Sequence, residues 1–174
     1  MPTIPPGTSP VSGGIQVAVI GSGTCTAREY DAARAAGRLI AQEGALLLCG
    51  GLGGVMKAAC RGAWEESGLT IGILPDTGQG NPYLSIVIRS RLGHARNAVL
   101  VQSADAVIAV GGSHGTLSEI ALALKNGKGV FGYHTWDIDG VVQCDTPENA
   151  VIRALSGVRH SLGYHNRQGG TESP

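Results

Sequence analysis

Three times within its first 125 residues this chain passes from a short apolar run, through a cluster of glycines, into a helical pattern. Residues 17–20 lead into Gly21, Ser22, Gly23 and Thr24. Residues 46–48 lead into Cys49, Gly50, Gly51, Leu52, Gly53 and Gly54, and residues 106–110 into Gly111, Gly112, Ser113, His114 and Gly115. A strand that turns directly into a helix must cross back before the next strand, so repeated units of this kind point to a parallel sheet. In a parallel sheet all three turns fall at the carboxyl edge, where α/β domains bind their ligands.

The remaining pattern agrees. Apolar runs at 15–20, 45–48, 70–74, 84–88, 106–110 and 129–133 read as strands, with 84–88 at an edge. Helical spacing runs over 27–43, 54–67, 93–103, 116–125 and 146–155, the last opened by Pro147 in its first turn. The prediction is one Rossmann-like domain over 15–157, a doubly wound parallel sheet with helices on both faces joined by right-handed crossovers. Residues 1–14, rich in Pro, Gly and Ser, read as a disordered arm, 134–140 as irregular, and 158–174 as a flexible tail.

The third turn says most about chemistry. Thr116 can cap the helix that follows, with Glu119 three residues on in capping-box position and Leu117, Ile120, Ala121 and Leu124 forming its apolar stripe. Such a helix presents unbonded N–H groups and a positive dipole end to an anion. A single glycine turn can equally be a device for turning tightly; three at one sheet edge favour a shared phosphate or nucleotide site. The candidate phosphate-binding residues are Gly21, Ser22, Gly23, Gly50, Gly51, Gly53, Gly111, Gly112, Ser113, His114, Gly115 and Thr116.

Composition sets the limits. At 174 residues the chain fits one domain. Thirteen basic residues balance thirteen acidic ones, so no overall field draws it to nucleic acid or an anionic membrane, and any phosphate site must be local. Neither a membrane span nor a secretory leader is readable, and a cytoplasmic protein is expected. Cys25, Cys49, Cys60 and Cys144 show no metal-ligand spacing, so no metal site is expected, His160 and His165 included. Cys49 and Cys60 read as small core residues, Cys25 as a weak thiol candidate, and Lys57 with Arg61 as a solvated helix face. The first turn, GSGTCT, departs from the dinucleotide fingerprint, and no acidic residue ends the second strand to hold a ribose.

Arg96 and Glu119 are the candidate catalytic pair. Placed at adjacent sheet edges, a guanidinium can grip phosphate while a carboxylate takes ribose hydroxyls or stabilises an oxocarbenium ion. The plain alternative is that Glu119 caps its helix and Arg96 makes a surface ion pair. Arg89 and Arg91 could add to an anion pocket or guard an edge strand.

GGSHGTLSE at 111–119 resembles the Pro-Gly-Gly-x-Gly-Thr-x-x-Glu motif of the LOG-type proteins, once labelled lysine decarboxylases. GHARN at 93–97 falls where they carry Met-x-x-Arg-Lys, and GGLGGVMKAA at 50–59 is similar to their glycine-rich turn and helix. The resemblance spans about 15–133. It implies Arg96 and Glu119 as the catalytic pair, a phosphate loop at Gly112, Gly115 and Thr116, and a homodimer or larger assembly. Many such proteins hydrolyse cytokinin-type nucleoside 5′-monophosphates without a required cofactor. Gly111 stands for the motif's proline, Ser113 for its second glycine and Asn97 for its lysine. With GxARN and TLSEIALALK, these differences are more similar to the branch holding the molybdenum cofactor carriers, which implies a carrier of a phosphorylated small molecule with bound molybdenum cofactor or nucleotide. The alternative is the phosphoribohydrolase.

Overall fold

The computed structural model describes residues 14–162. The expected arm, apart from Gly14, and the expected tail beyond residue 162 lie outside those residues. Seven strands form one sheet, all pairs parallel: β1 (Gln16–Gly21), β2 (Leu46–Cys49), β3 (Thr70–Leu74), β4 (Ile86–Arg89), β5 (Ala106–Val110), β6 (Gly129–Tyr133) and β7 (Val141–Gln143). Their spatial order is β4-β3-β2-β1-β5-β6-β7. The chain builds outward from β1 to one edge, returns to lay β5 on the free side of β1, and builds outward the other way. The reversal between β1 and β5 is the switch point at which doubly wound sheets open a crevice.

Helices α1 (Ala27–Gln42), α2 (Gly54–Glu65) and α5 (Pro147–Ser161) cover one face, and α3 (Arg96–Ser103) and α4 (His114–Lys125) the other. The central strands divide their side chains accordingly. Val17 and Val19 of β1 and Ile108 and Val110 of β5 enter the core under α1, α2 and α5; Ala18, Ile20, Val107 and Ala109 enter the core under α3 and α4. Strands buried on both sides carry no polar alternation, which is why they read as unbroken apolar runs. Helices α1 and α2 meet through small residues: a Cβ on Gly37 would stand 3.0 Å from Ala59 Cα.

The doubly wound parallel sheet is as expected, with three differences of detail. Strand β7 lies in a stretch that shows no strand pattern; it has three residues and pairs with Val130, Phe131 and Gly132, too short for alternation to show. As the sequence implied, the β3–β4 and β6–β7 connections contain no helix. Helix α5 continues past the expected stop at 155 to Ser161, because Val158 is buried beyond the Ser156-Gly157 pair that reads as a terminator. Residues 158–161 therefore belong to the packed helix rather than to a tail. Finally, α4 starts at His114, two residues ahead of the sequence expectation.

The edge expected near 84–88 is β4, with Ile86 and Ile88 exposed. Arg89 Nε donates to the carbonyls of Thr77 and Gly78, at 3.2 and 3.0 Å, tying down the loop ahead of β4. Among the described residues no helix is long and apolar enough to cross a membrane.

Candidate functional site

The three glycine turns follow β1, β2 and β5, the three adjacent strands at the middle of the sheet. The fold thus gathers them at one edge beside the switch point, as the sequence implied. They are not equivalent.

The first turn is closed by its own helix. Thr26 caps α1 by accepting the Glu29 N–H at 3.2 Å, and the Glu29 carboxylate reaches back to the Thr26 N–H at 2.7 Å and its hydroxyl at 2.9 Å. This reciprocal box satisfies the Thr26 and Glu29 N–H groups and sets a negative charge on the helix's positive end. The same carboxylate leans over the third turn, where a Cβ on Gly111 would collide with Glu29. Gly21 and Ser22 serve packing: Val55 of α2 donates its N–H to the Ser22 carbonyl at 3.0 Å, and a Cβ on Gly21 would stand 2.6 Å from the Val110 carbonyl. Burial and the Glu29 charge both push the Cys25 thiol up, so it is not an activated nucleophile.

The second turn is held from below. Cys49 and Cys60 are fully buried with sulfurs 3.4 Å apart, and Cys49 Sγ accepts the Gly51 N–H at 3.2 Å. Asn81 secures the outer side, donating from its backbone to the Gly51 carbonyl and from its side chain to the Leu52 carbonyl. Gly53, the residue ahead of α2, has no side chain and supplies no cap bond. An open groove of about 410 Å³ runs past it, lined by Leu52, Gly53, Lys57, Gly80, Asn81 and Pro82. Lys57, read from sequence as part of a solvated face, stands on this groove; Arg61 does pair with Glu65 at 3.1 Å.

The third turn is the most open. Gly112, at φ 128°, lets the chain swing so that Ser113, not Thr116, takes the position ahead of α4. Thr116 is buried in the first turn of the helix and accepts the Ser113 N–H at 3.3 Å. His114 and Gly115 occupy the first two helical positions and are exposed, ahead of a Ser113–Thr116 capping box, and their backbone N–H groups lack an intrahelical acceptor.

That shift corrects the reading of Glu119 as a capping-box partner. Glu119 lies further along α4 and faces inward, where its Oε1 meets Arg96 Nη1 at 3.3 Å; the two side chains are 9% and 8% exposed. Arg96 opens α3 and lies against the second turn, where a Cβ on Gly50 would stand 2.6 Å from Arg96 Cζ. Gly50 is therefore needed for close approach, and the Gly50–Arg96–Glu119 contact couples the second turn to α4 across the sheet edge. Burial pushes the Glu119 carboxyl up to about 7, with the Arg96 charge opposing. Asn97 is also buried beside the pair in sequence.

Residues after β6 complete the third turn, and no motif marked them. Thr135 Oγ1 donates to the Gly111 carbonyl at 2.5 Å and Trp136 Nε1 to the Ser113 carbonyl at 3.2 Å. Arg28, in the first turn of α1, donates to His134 Nε2 at 2.7 Å and to the Tyr133 hydroxyl at 3.3 Å. Signal was weak here because these residues belong to an irregular segment recruited by strand order, not sequence proximity. A half-open cavity of about 250 Å³ lies at the opposite, amino edge, beneath α5, and includes Ala106, Gly129, Phe131 and Val158; none of the candidate residues lines it. Among the described residues no three His, Cys, Asp or Glu side chains gather as a metal site.

Comparison with known proteins places this architecture. The model of the SLOG cluster4 family matches residues 14–158. A protein of uncharacterized function from Archaeoglobus fulgidus is 45% identical over 144 residues, covering 82% of this chain and 95% of that protein. The molybdenum cofactor binding protein of Rippkaea orientalis is similar in structure, with a TM-score of 0.80, 38% identity and coverage of 84% of this chain and 98% of that one. The molybdenum cofactor carrier protein of Chlamydomonas reinhardtii gives a TM-score of 0.79 at 32% identity, covering 86% of this chain and 100% of that one. With its family model spanning the sheet and all three glycine turns, this chain belongs to the SLOG cluster4 family, near the molybdenum cofactor carriers of the LOG-type group.

Proposed function

We propose that this protein binds and carries a phosphorylated small molecule, its cargo being a molybdenum cofactor–type pterin. The observation that carries the reading is the exposed first turn of α4, where His114 and Gly115 have N–H groups without an intrahelical acceptor and no carboxylate closes the cap. A terminal phosphate accepts such donors and is favoured by the helix dipole, so Gly112, Ser113, His114 and Gly115 form its cradle. Thr116 sets the shape of that cradle from within. The α2 end at Gly53, with Lys57 beside it, offers a second cationic wall. Similarity to proteins named as molybdenum cofactor binding and carrier proteins supports the pterin as cargo.

In this reading Arg96 and Glu119 are a brace. Each occupies the other, and their charges are almost wholly covered, which suits holding a cradle in shape better than attacking a glycosidic bond. The phosphoribohydrolase reading needs Glu119 to reach a ribose, and the ion pair to Arg96 stands against it. A cytoplasmic homodimer or larger assembly completes the proposal, the exposed Ile86 and Ile88 of β4 supplying an apolar edge for a second copy.

Gel filtration of the protein with cofactor released anaerobically from a molybdoenzyme tests the reading. Pterin and molybdenum should co-elute with the protein, while incubation with AMP should release no adenine. Failure to retain the cofactor, with adenine release that disappears in Glu119→Ala, would replace the carrier by the hydrolase.

A further inference from the structure

The chain is poor in aromatic residues, 4% in all, yet two exposed rings flank the first turn of α4. Trp136, in the segment between β6 and β7, donates its indole N–H to the carbonyl of Ser113, the residue just ahead of that helix. His114, the helix's first residue, puts its ring centroid 6.1 Å from that of Trp136 with the planes tilted by 44°. The backbone that carries the indole is held as well: Thr135 next to it donates to the Gly111 carbonyl, and the Trp136 carbonyl accepts from Gln143 Nε2 at 3.0 Å. Despite these anchors Trp136 remains 36% exposed.

A tryptophan that served only to pin the turn would do so with its N–H alone and hide its large apolar face. Here the polar edge of the indole is used up on the loop, while the ring stays partly open at the carboxyl edge, one residue from where a phosphate would sit. Rigid placement matters, because an aromatic surface that is already ordered loses little rotamer freedom when a ligand covers it.

We propose that Trp136, with His114 at its side, is a stacking platform for a planar fused heterocycle, so that this site selects ring-bearing phosphate monoesters over sugar phosphates or inorganic phosphate. The platform rests on the reading of α4 as the phosphate cradle and adds the second half of the recognition: backbone donors hold the phosphate whatever it is attached to, and the indole discriminates by what lies beyond it. Every fused heterocycle has a π face, so the platform accepts pterin and purine alike.

Two probes share the phosphate and differ in the ring: guanosine 5′-monophosphate and ribose 5-phosphate, titrated by calorimetry. Wild type should bind the nucleotide about 5- to 100-fold more tightly, the range seen for stacking on a single aromatic side chain. Trp136→Ala should erase that preference and Trp136→Phe, which keeps the π face, should retain most of it, while the lost N–H to the Ser113 carbonyl lowers ribose 5-phosphate affinity by the same factor in both variants. A purely bracing role for the indole would instead weaken both probes equally in Trp136→Ala, leaving the preference intact, and would not be rescued by Phe, which lacks the N–H. In Trp64→Phe, where Trp136 is the remaining tryptophan, the nucleotide should quench emission and ribose 5-phosphate should not. Equal affinity of wild type for the two probes would overturn the platform and leave the cradle standing; failure of both probes to bind would overturn the cradle and the platform with it.

Discussion

Helices α1 and α4 begin at the same sheet edge, behind the neighbouring strands β1 and β5, and each carries a reciprocal capping box, but the two boxes differ in charge. The end of α1 is closed to anions: its box is completed by the Glu29 carboxylate, which answers the helix dipole. The end of α4 is left open to them: its box is completed by the uncharged Thr116 hydroxyl, and the acidic residue of its motif, Glu119, turns inward onto Arg96. A glycine turn supplies close approach in either case. What separates the two ends is which donors a carboxylate takes: Glu29 bonds the Thr26 N–H and hydroxyl of α1, and although it leans over Gly111 it takes no N–H of α4 among the described residues.

The largest expected effect tests the contact that keeps Glu119 away from the open end. Gly50→Ala places a methyl 2.6 Å from Arg96 Cζ, so the guanidinium must shift from Glu119; full loss of a buried ion pair costs about 3–5 kcal/mol, which sets the upper bound read in denaturant unfolding. Next in size is a pH dependence. The Glu119 carboxyl lies at about 7 in the folded chain and near the ordinary value of about 4.3 when unfolded. Between these values the folded state holds a proton that the unfolded state has released. Stability from this group is therefore fully present below about pH 4 and falls as pH rises through 7, by about 3 to 4 kcal/mol in total. Glu119→Gln should flatten this slope, and a slope of the same size in the variant would assign the dependence elsewhere.

Smaller still is the effect of opening the closed end. Thr26→Ala removes the α1 cap and should cost about 1 kcal/mol while leaving cargo affinity unchanged, since the first turn packs against Val55 rather than facing ligand. Loss of cargo in Thr26→Ala would put the first turn back into the site and remove the distinction between the two ends.

Much of this was legible in the sequence, and the misses are specific. The parallel sheet followed from apolar runs that never alternate, and the adjacency of the three turns from the doubly wound order. The box that closes α1 is also written plainly, as Thr26 followed three residues on by Glu29. The spacing of Thr116 and Glu119 imitates the same signature and is overridden, because Gly112 at φ 128° hands the position ahead of the helix to Ser113. Local spacing could not distinguish the two, since the difference depends on Arg96 arriving from α3 to claim the carboxylate. Trp136 and Thr135 were illegible for a related reason: only the pairing of β6 beside β5 brings that segment to the third turn.

The most direct test places on α4 the carboxylate that α1 already carries. Gly115 is exposed, and a Cβ there meets nothing within 4 Å, so Gly115→Asp fits without strain and, at a helix N-terminus, should add about 0.3–1 kcal/mol of stability. Retention of the molybdenum cofactor on gel filtration is the measurement. A variant at least as stable as wild type that no longer retains the cofactor is the predicted result. Undiminished retention in a folded Gly115→Asp would contradict the assignment of the phosphate to the open end of α4.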